Sequence, residues 1–194
     1  MTTQHQSYQT SAAARLAESL EQDHRIDALR TWYRKLGGLL PPGRMLDELR
    51  GRSLGHALHP LLTDLPLGMW IGATWLDLTG PQRHADASRR LVGTGFLLVV
   101  PTALTGLADW SGLRSEESSR VGALHASLNA VAGIAYGASW WLRRRGHLGA
   151  GIVASLAGGV TVSVSGYLGG HLSLRRGEPA ASGADPSAPS SGLG

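Results

Sequence analysis

Polar and apolar positions divide the chain into three parts. Residues 1–52 and 176–194 are largely polar, and the stretch between them is dominated by Leu, Ala, Gly and Val. Four apolar runs recur in that middle part, at about 59–79, 90–109, 121–142 and 150–172. Each is close to the ~20 residues that a helix needs to cross the hydrocarbon core of a bilayer. Trp70, Trp75, Trp110, Trp140 and Trp141 lie in or beside the runs, as interfacial aromatic residues do. The connections near 80–89, 110–120 and 143–149 are short and polar, which makes consecutive helices antiparallel neighbours. The pattern predicts an all-α fold over 53–175: an antiparallel four-helix transmembrane bundle with both of its ends on one side. A soluble bundle would need a charged outer face on every helix, and these runs have none.

Residues 11–52 read as an amphipathic, interfacial helical segment. Leu16, Leu20, Ile26, Leu29 and Tyr33 recur near helical spacing with Glu, Asp and Arg between them. Ser11 is the candidate N-cap of one helix over 11–36. The PPG at 41–43 ends it, and a short helix follows at about 44–50. The charges bar this segment from spanning and predict a place on the membrane surface or on the bundle end. Residues 1–10 are predicted to be loose. The Pro/Ala/Ser/Gly-rich tail, 176–194, is predicted to be disordered, because it cannot bury a core. The N-terminus has no apolar run after a basic start, so no cleavable signal peptide is expected.

Composition sharpens this picture in three ways. The 27 glycines, without a collagen period, suit helices that pack closely in a membrane. The net charge of +4 comes from arginine, since Lys35 is the only lysine. Arginines flank the apolar runs at 89–90, 143–145 and 175–176, as in a multi-pass protein of the cytoplasmic membrane. No aromatic–basic platform accompanies them, so nucleic acid is not an expected partner. Arginines stand on both sides of the runs and leave the orientation unassigned. The absence of cysteine excludes disulfides, thioether-linked haem and an iron–sulfur cluster within this chain.

The chemistry lies in a few polar residues that a membrane helix would ordinarily shed. GHALHPLLTDLPLGMW, residues 55–70, keeps His56, His59 and Asp64. With alternating helix directions, His59, Asp64, Asp109, His125 and His171 all fall at one end of the bundle. Asp77 falls at the other. His125, Asn129, Gly133 and Gly137 repeat every four residues, as do Gly151, Ser155, Gly159, Ser163, Tyr167 and His171. Residues at that spacing share a face, so these stripes are expected to carry the histidines inward. Thr102, Thr105 and Asp109 form a third polar stripe. Pro66 removes the hydrogen bond to the Leu62 carbonyl and frees that oxygen. His56 reads as interfacial, His84 and His147 as loop residues, His5 and His24 as exposed, and Asp109 also reads as a helix-end boundary residue.

GHALHPLLTDLPLGMW, TGLADW, the LHA around His125 and SGYLGGHLS resemble a family of bacterial four-helix membrane proteins of unknown function, over roughly residues 15–176. The resemblance implies association with Rieske iron–sulfur domains, to which members are often fused or near which they are encoded. Relatives carry a second histidine where this chain has Asp64, so bis-histidine haem ligation through that position is closed here. Any Rieske domain would be a separate protein.

Three readings follow. In the first, the protein is the membrane component of a redox system. His59, Asp64, Asp109, His125 and His171 hold a metal ion, or His59, His125 and His171 with Tyr167 and Asn129 hold haem b or a quinone, since imidazole and carboxylate suit such centres. In the second, it is a cofactor-free anchor that docks a soluble partner, with Rieske-type proteins the class implied by the resemblance. In the third, Asp64, Asn129 and Tyr167 relay protons or pass a small solute. Lipid and, in each reading, a possible second copy of the chain are the remaining partners. No nucleophile triad or phosphate loop appears, and no enzyme class is assigned. The geometric expectation is that His59, Asp64, His125 and His171 converge in one pocket.

Overall fold

The computed structural model describes residues 11–113 and 115–175. Among them are seven α-helices and no strand. Three short helices come first: α1 (Ala12–Glu21), α2 (Asp27–Gly37) and α3 (Arg44–Leu49). Four long ones follow: α4 (Leu58–Thr79), α5 (Ala85–Trp110), α6 (Glu116–Arg144) and α7 (Leu148–Gly170), the last continuing into a π-turn at His171–Arg175. The expectations for residues 1–10 and 176–194 fall outside the described residues.

The long helices run antiparallel and pack in chain order, α4 on α5, α5 on α6 and α6 on α7, with a lighter contact closing α7 onto α4. The packing unit repeats: an aromatic ring on one helix lies against a glycine on the next. A Cβ on Gly93 would come within 2.5 Å of the Trp140 indole, and one on Gly158 within 2.9 Å of the Tyr136 ring. Only residues without a side chain admit these rings, which is why glycine is so common in the apolar runs. At the centre Trp70 of α4 stacks on Tyr136 of α6, ring centroids 3.7 Å apart and 7° from parallel, over Ala73 and Val92. Pro66 behaves as anticipated. The Leu62 carbonyl that it frees accepts a hydrogen bond from the Thr102 hydroxyl of α5, at 3.3 Å.

α5, and α7 with its extension to Leu174, are each long and apolar enough to cross a membrane. α4 and α6 fall short of that measure, because their inward faces carry His59, Asp77, His125, Asn129 and Arg143. Away from the helix ends their outward faces are apolar except for the exposed Asp64 of α4. Leu61, Leu65, Ile71, Trp75 and Leu78 of α4 are exposed, as are Val131, Ile134 and Trp141 of α6.

The expected helix over 11–36 is two helices. Ser11 caps α1 by accepting from the Ala14 amide at 3.2 Å. α1 then stops at Glu21, and the Asp23 side chain takes the Arg25 amide at 2.9 Å, starting a 3₁₀ turn at His24–Ile26. An aspartate that bonds its own backbone offers an alternative to the helix. Arg120 of α6 holds the break open by donating to the Glu21 carbonyl at 3.0 Å and to the Asp27 carboxylate at 2.8 Å. α1 lies on α6, α2 on α5 and α6, and α3 on α5, at the end of the bundle where α4 begins. Ala17 and Leu20 of α1 close over Val121, Leu168 and Leu172.

Candidate functional site

Of the four residues expected to meet, two do. His59, one residue into α4, and His125, early in α6, stand edge to face with ring centroids 6.2 Å apart. Each ring is seated on a glycine. A Cβ on Gly106 would sit 2.8 Å from His59 Cε1, and one on Gly169 would sit 2.9 Å from His125 Cε1. The glycine of α5 thus brings α4's histidine into the bundle, and the glycine of α7 does so for α6's.

The hydrogen bonds fix both tautomers. His59 Nδ1 donates to the Thr102 carbonyl at 3.0 Å, and His125 Nδ1 donates to the Ser165 carbonyl at 2.8 Å. A carbonyl only accepts, so in each neutral ring the proton is on Nδ1 and the lone pair is on Nε2. This backbone-pinned form is the one in which imidazole binds a metal through Nε2. The two rings then differ. His125 Nε2 accepts from the Asn129 amide at 3.0 Å, and the Ser165 hydroxyl donates to the His125 carbonyl at 2.9 Å. His125 is therefore satisfied on both nitrogens. His59 Nε2 has no hydrogen-bond partner among the described residues.

The other residues lie elsewhere. His171 turns to α1, where its Nε2 donates to Glu21 Oε1 at 2.8 Å, with both side chains buried and His171 Nδ1 left without a partner. Asp64 and Tyr167 are exposed on the outside of the helices. For Tyr167 the cause is arithmetic. Each four-residue step overshoots a turn of 3.6 residues by about 40°, so Tyr167 is turned by about 120° from the inward Ser155. The inward line of α7 is Gly151, Ser155, Gly158, Ser165 and Leu168. Asp109 is buried at the end of α5. The Arg50 guanidinium is anchored beside it, on the Ala108 carbonyl and the Ser111 hydroxyl, both at 3.0 Å. Among the described residues no three His, Asp or Glu side chains gather as a metal site. The expected single pocket is thus a histidine pair, a separate His171–Glu21 pair and outward-facing Asp64 and Tyr167.

At the far end the structure builds a site that sequence reasoning missed. Asp77 of α4 and Arg143 of α6 form a two-pronged ion pair, at 3.0 and 2.6 Å, with side chains 4% and 1% exposed. Ser88 of α5 donates to Asp77 at 2.8 Å. Arg143 Nε donates to Ser139, which meets Ser155 of α7 at 2.7 Å and donates to the Gly151 carbonyl. All four long helices contribute. By sequence alone Asp77 is a lone ionisable residue at this end of the bundle, and Arg143 is one of the arginines that flank the runs. The available signal was spacing: Ser139 and Arg143 are four apart on one face of α6, as are Gly151 and Ser155 on α7.

Neither a curated protein nor a solved structure matches the chain. A family profile described as a predicted membrane protein matches residues 55–178. The match takes in α4 to α7 and begins after α1–α3, so the resemblance read from residue 15 holds from residue 55. The match covers the four long helices, and by it the chain belongs to the predicted membrane protein family DUF2231.

Proposed function

We propose that this chain is a multi-pass protein of the cytoplasmic membrane in which α4 to α7 all span the bilayer, and that it serves as a cofactor-free anchor for a soluble partner. The observation that supports four spans is the character of α4 and α6, which turn rows of apolar side chains outward and, apart from Asp64, keep their mid-helix polar groups inward. Ionisable groups at membrane depth face the interior and pair there, which is what His125, Asp77 and Arg143 do. The anchor reading follows from how these groups are used. His125, Asp77, Arg143 and the Glu21–His171 pair use hydrogen bonds to join one helix to another or to α1, and Asn129 of α6 holds the His125 ring in place for it. A Rieske-type protein is the partner class that the resemblance implies.

The redox reading has one observation in its favour, the unpartnered lone pair on His59 Nε2. It could accept a hydrogen bond from a quinol hydroxyl or donate its lone pair to a metal or haem iron. Bis-imidazole ligation with His125 requires Asn129 to move first.

Absorption spectroscopy with elemental analysis on protein purified in mild detergent separates the two. A colourless, metal-free protein that stays so after incubation with haem and with divalent metals is expected from the anchor reading. A Soret band or stoichiometric metal, lost on His59→Ala, would replace it with the redox reading.

A further inference from the structure

α2 has a second apolar side that the bundle does not use. Tyr33 faces α5 and α6, while Trp32 is 52% exposed. Leu39, just past the end of α2, is 79% exposed, and Met45 of α3, six positions on, is exposed as well. Ala28, Trp32 and Lys35 follow at steps of four and three, one line along α2, and Leu39 lies just beyond its end. Two cations stand here, Lys35 within the line and Arg34 next to it in sequence. Arg34 and Lys35 are exposed and form no ion pair among the described residues, whereas Arg44 and Arg52 are engaged by Glu48 and Asp47.

The height of this surface is set by an aromatic chain. Trp32 meets Tyr33 edge to face at 4.8 Å, and Tyr33 lies 6.0 Å from Trp110, the last residue of α5. α5 is long and apolar enough to cross a membrane, so its terminal Trp110 marks the boundary of the hydrocarbon. Trp32 is two ring contacts from that boundary. An exposed tryptophan and leucine carrying unpaired cations at headgroup level match an anionic lipid surface, where apolar side chains enter and Lys and Arg meet phosphate.

We infer that Trp32 of α2 and Leu39 just beyond it, with Arg34 and Lys35, form a binding surface for anionic phospholipid headgroups of the leaflet on the terminal side. The inference rests on the four-span reading. The occupant is lipid rather than a second copy because the apolar line is narrow, is interrupted by Lys35 and carries only positive charge. Two copies brought face to face there would oppose like charges.

The absence of native cysteine makes site-directed spin labelling clean. The full chain carrying Leu39→Cys is labelled and reconstituted in phosphatidylcholine bilayers, with and without phosphatidylglycerol. Depth is read from accessibility to oxygen and to a water-soluble nickel complex. With phosphatidylglycerol the label is expected to be immersed. Arg34→Gln and Lys35→Gln are each expected to lower the immersed-to-aqueous ratio roughly fivefold, and high salt is expected to do the same. A label at Leu39→Cys as water-accessible as one at Gln82→Cys in the loop between α4 and α5 overturns the inference, and so does spin–spin broadening that reports a second copy. A label at Val131→Cys on the outer face of α6 keeps the failures apart. If Val131→Cys is lipid-exposed and Leu39→Cys is not, the lipid surface fails alone. If neither is, the four-span reading has failed.

Discussion

At one end of the four long helices a carboxylate and a guanidinium meet head-on, and every donor of the guanidinium has an acceptor. At the other end two imidazoles meet edge to face, and one nitrogen of the pair has none. Both ends are polar and both are enclosed by apolar helices, yet they are built differently. Asp77 and Arg143 bring opposite charges together and use three serines to satisfy the rest. His59 and His125 bring no opposite charge and instead bond to backbone carbonyls of neighbouring helices. The difference teaches that polarity inside a bundle is not by itself a functional signal. A closed network fixes helices, and a lone pair without a partner is where a ligand can still act.

The far end should therefore be the more costly one to break. Removing one partner of a buried ion pair leaves the other charge unsatisfied, at a cost of about 3–5 kcal/mol. Asp77→Ala and Arg143→Ala are each expected to lose that much in reversible unfolding in detergent. The double variant Asp77→Leu with Arg143→Met should regain most of it, because no buried charge remains. Single variants as stable as the parent would show that the far end does not lock the helices.

The histidine end should respond to crowding. At Gly106 a methyl group would stand 2.8 Å from His59. Gly106→Ala is expected to destabilise by about 1–3 kcal/mol through overpacking, less the gain of up to about 1 kcal/mol that Ala brings to a helix. Gly68→Ala, on the open outer side of α4 where nothing lies within 4 Å, should show that gain alone. Opposite signs for the two substitutions, read as shifts in Tm, would confirm that the His59 ring rests on α5. Equal signs would remove Gly106 from the site.

A third change makes the two histidines more alike. Asn129→Ala takes away the donor to His125 Nε2 at a cost of about 1 kcal/mol, the usual worth of one hydrogen bond. It leaves two lone pairs at the histidine end instead of one. Zn²⁺ affinity, followed by isothermal titration and by imidazole ¹⁵N shifts, is expected to rise above that of the parent and to fall again on adding His59→Ala. No change in either readout would mean that the two Nε2 atoms do not face a common space.

The helices themselves were legible in the chain, because apolar runs of spanning length with short polar joints leave few arrangements. α4 to α7 start and end within a few residues of the runs, and α5 and α6 reach further because their first turns are polar and so lie outside the apolar pattern. The end to which each polar group belongs followed from alternation of direction, and the His59–His125 meeting follows from it. Facing was harder to read. A four-residue stripe drifts around a 3.6-residue helix, which put Tyr167 on the outside. His171 was taken by Glu21 of α1, which shares the buried face of that helix with Ala14 and Ala17 at steps of three and four, but an acidic side chain at such a position reads as solvated. Asp77 and Arg143 lie 66 positions apart in sequence, and only the fold makes them neighbours.

The smallest expected effect concerns the seam between the bundle and α1–α2. The hydrogen bond from Arg120, with a second from His24, lowers the pKa of Asp27 from 3.8 to about 2. A depressed carboxylate stabilises the folded state above its unfolded pKa and loses that contribution as pH falls through the folded one. The seam should hold unchanged down to about pH 4 and loosen between about pH 4 and about pH 2. Hydrogen exchange read by mass spectrometry would detect this as faster exchange in α1 and α2 across that window, with the far end of the bundle unmoved. In Asp27→Asn the exchange in α1 and α2 should already be raised at neutral pH and should lack the step. If Asp27→Asn kept the step, the Arg120–Asp27 contact would not be what holds these helices to the histidine end, and Glu21 with His171 would be the next pair to replace.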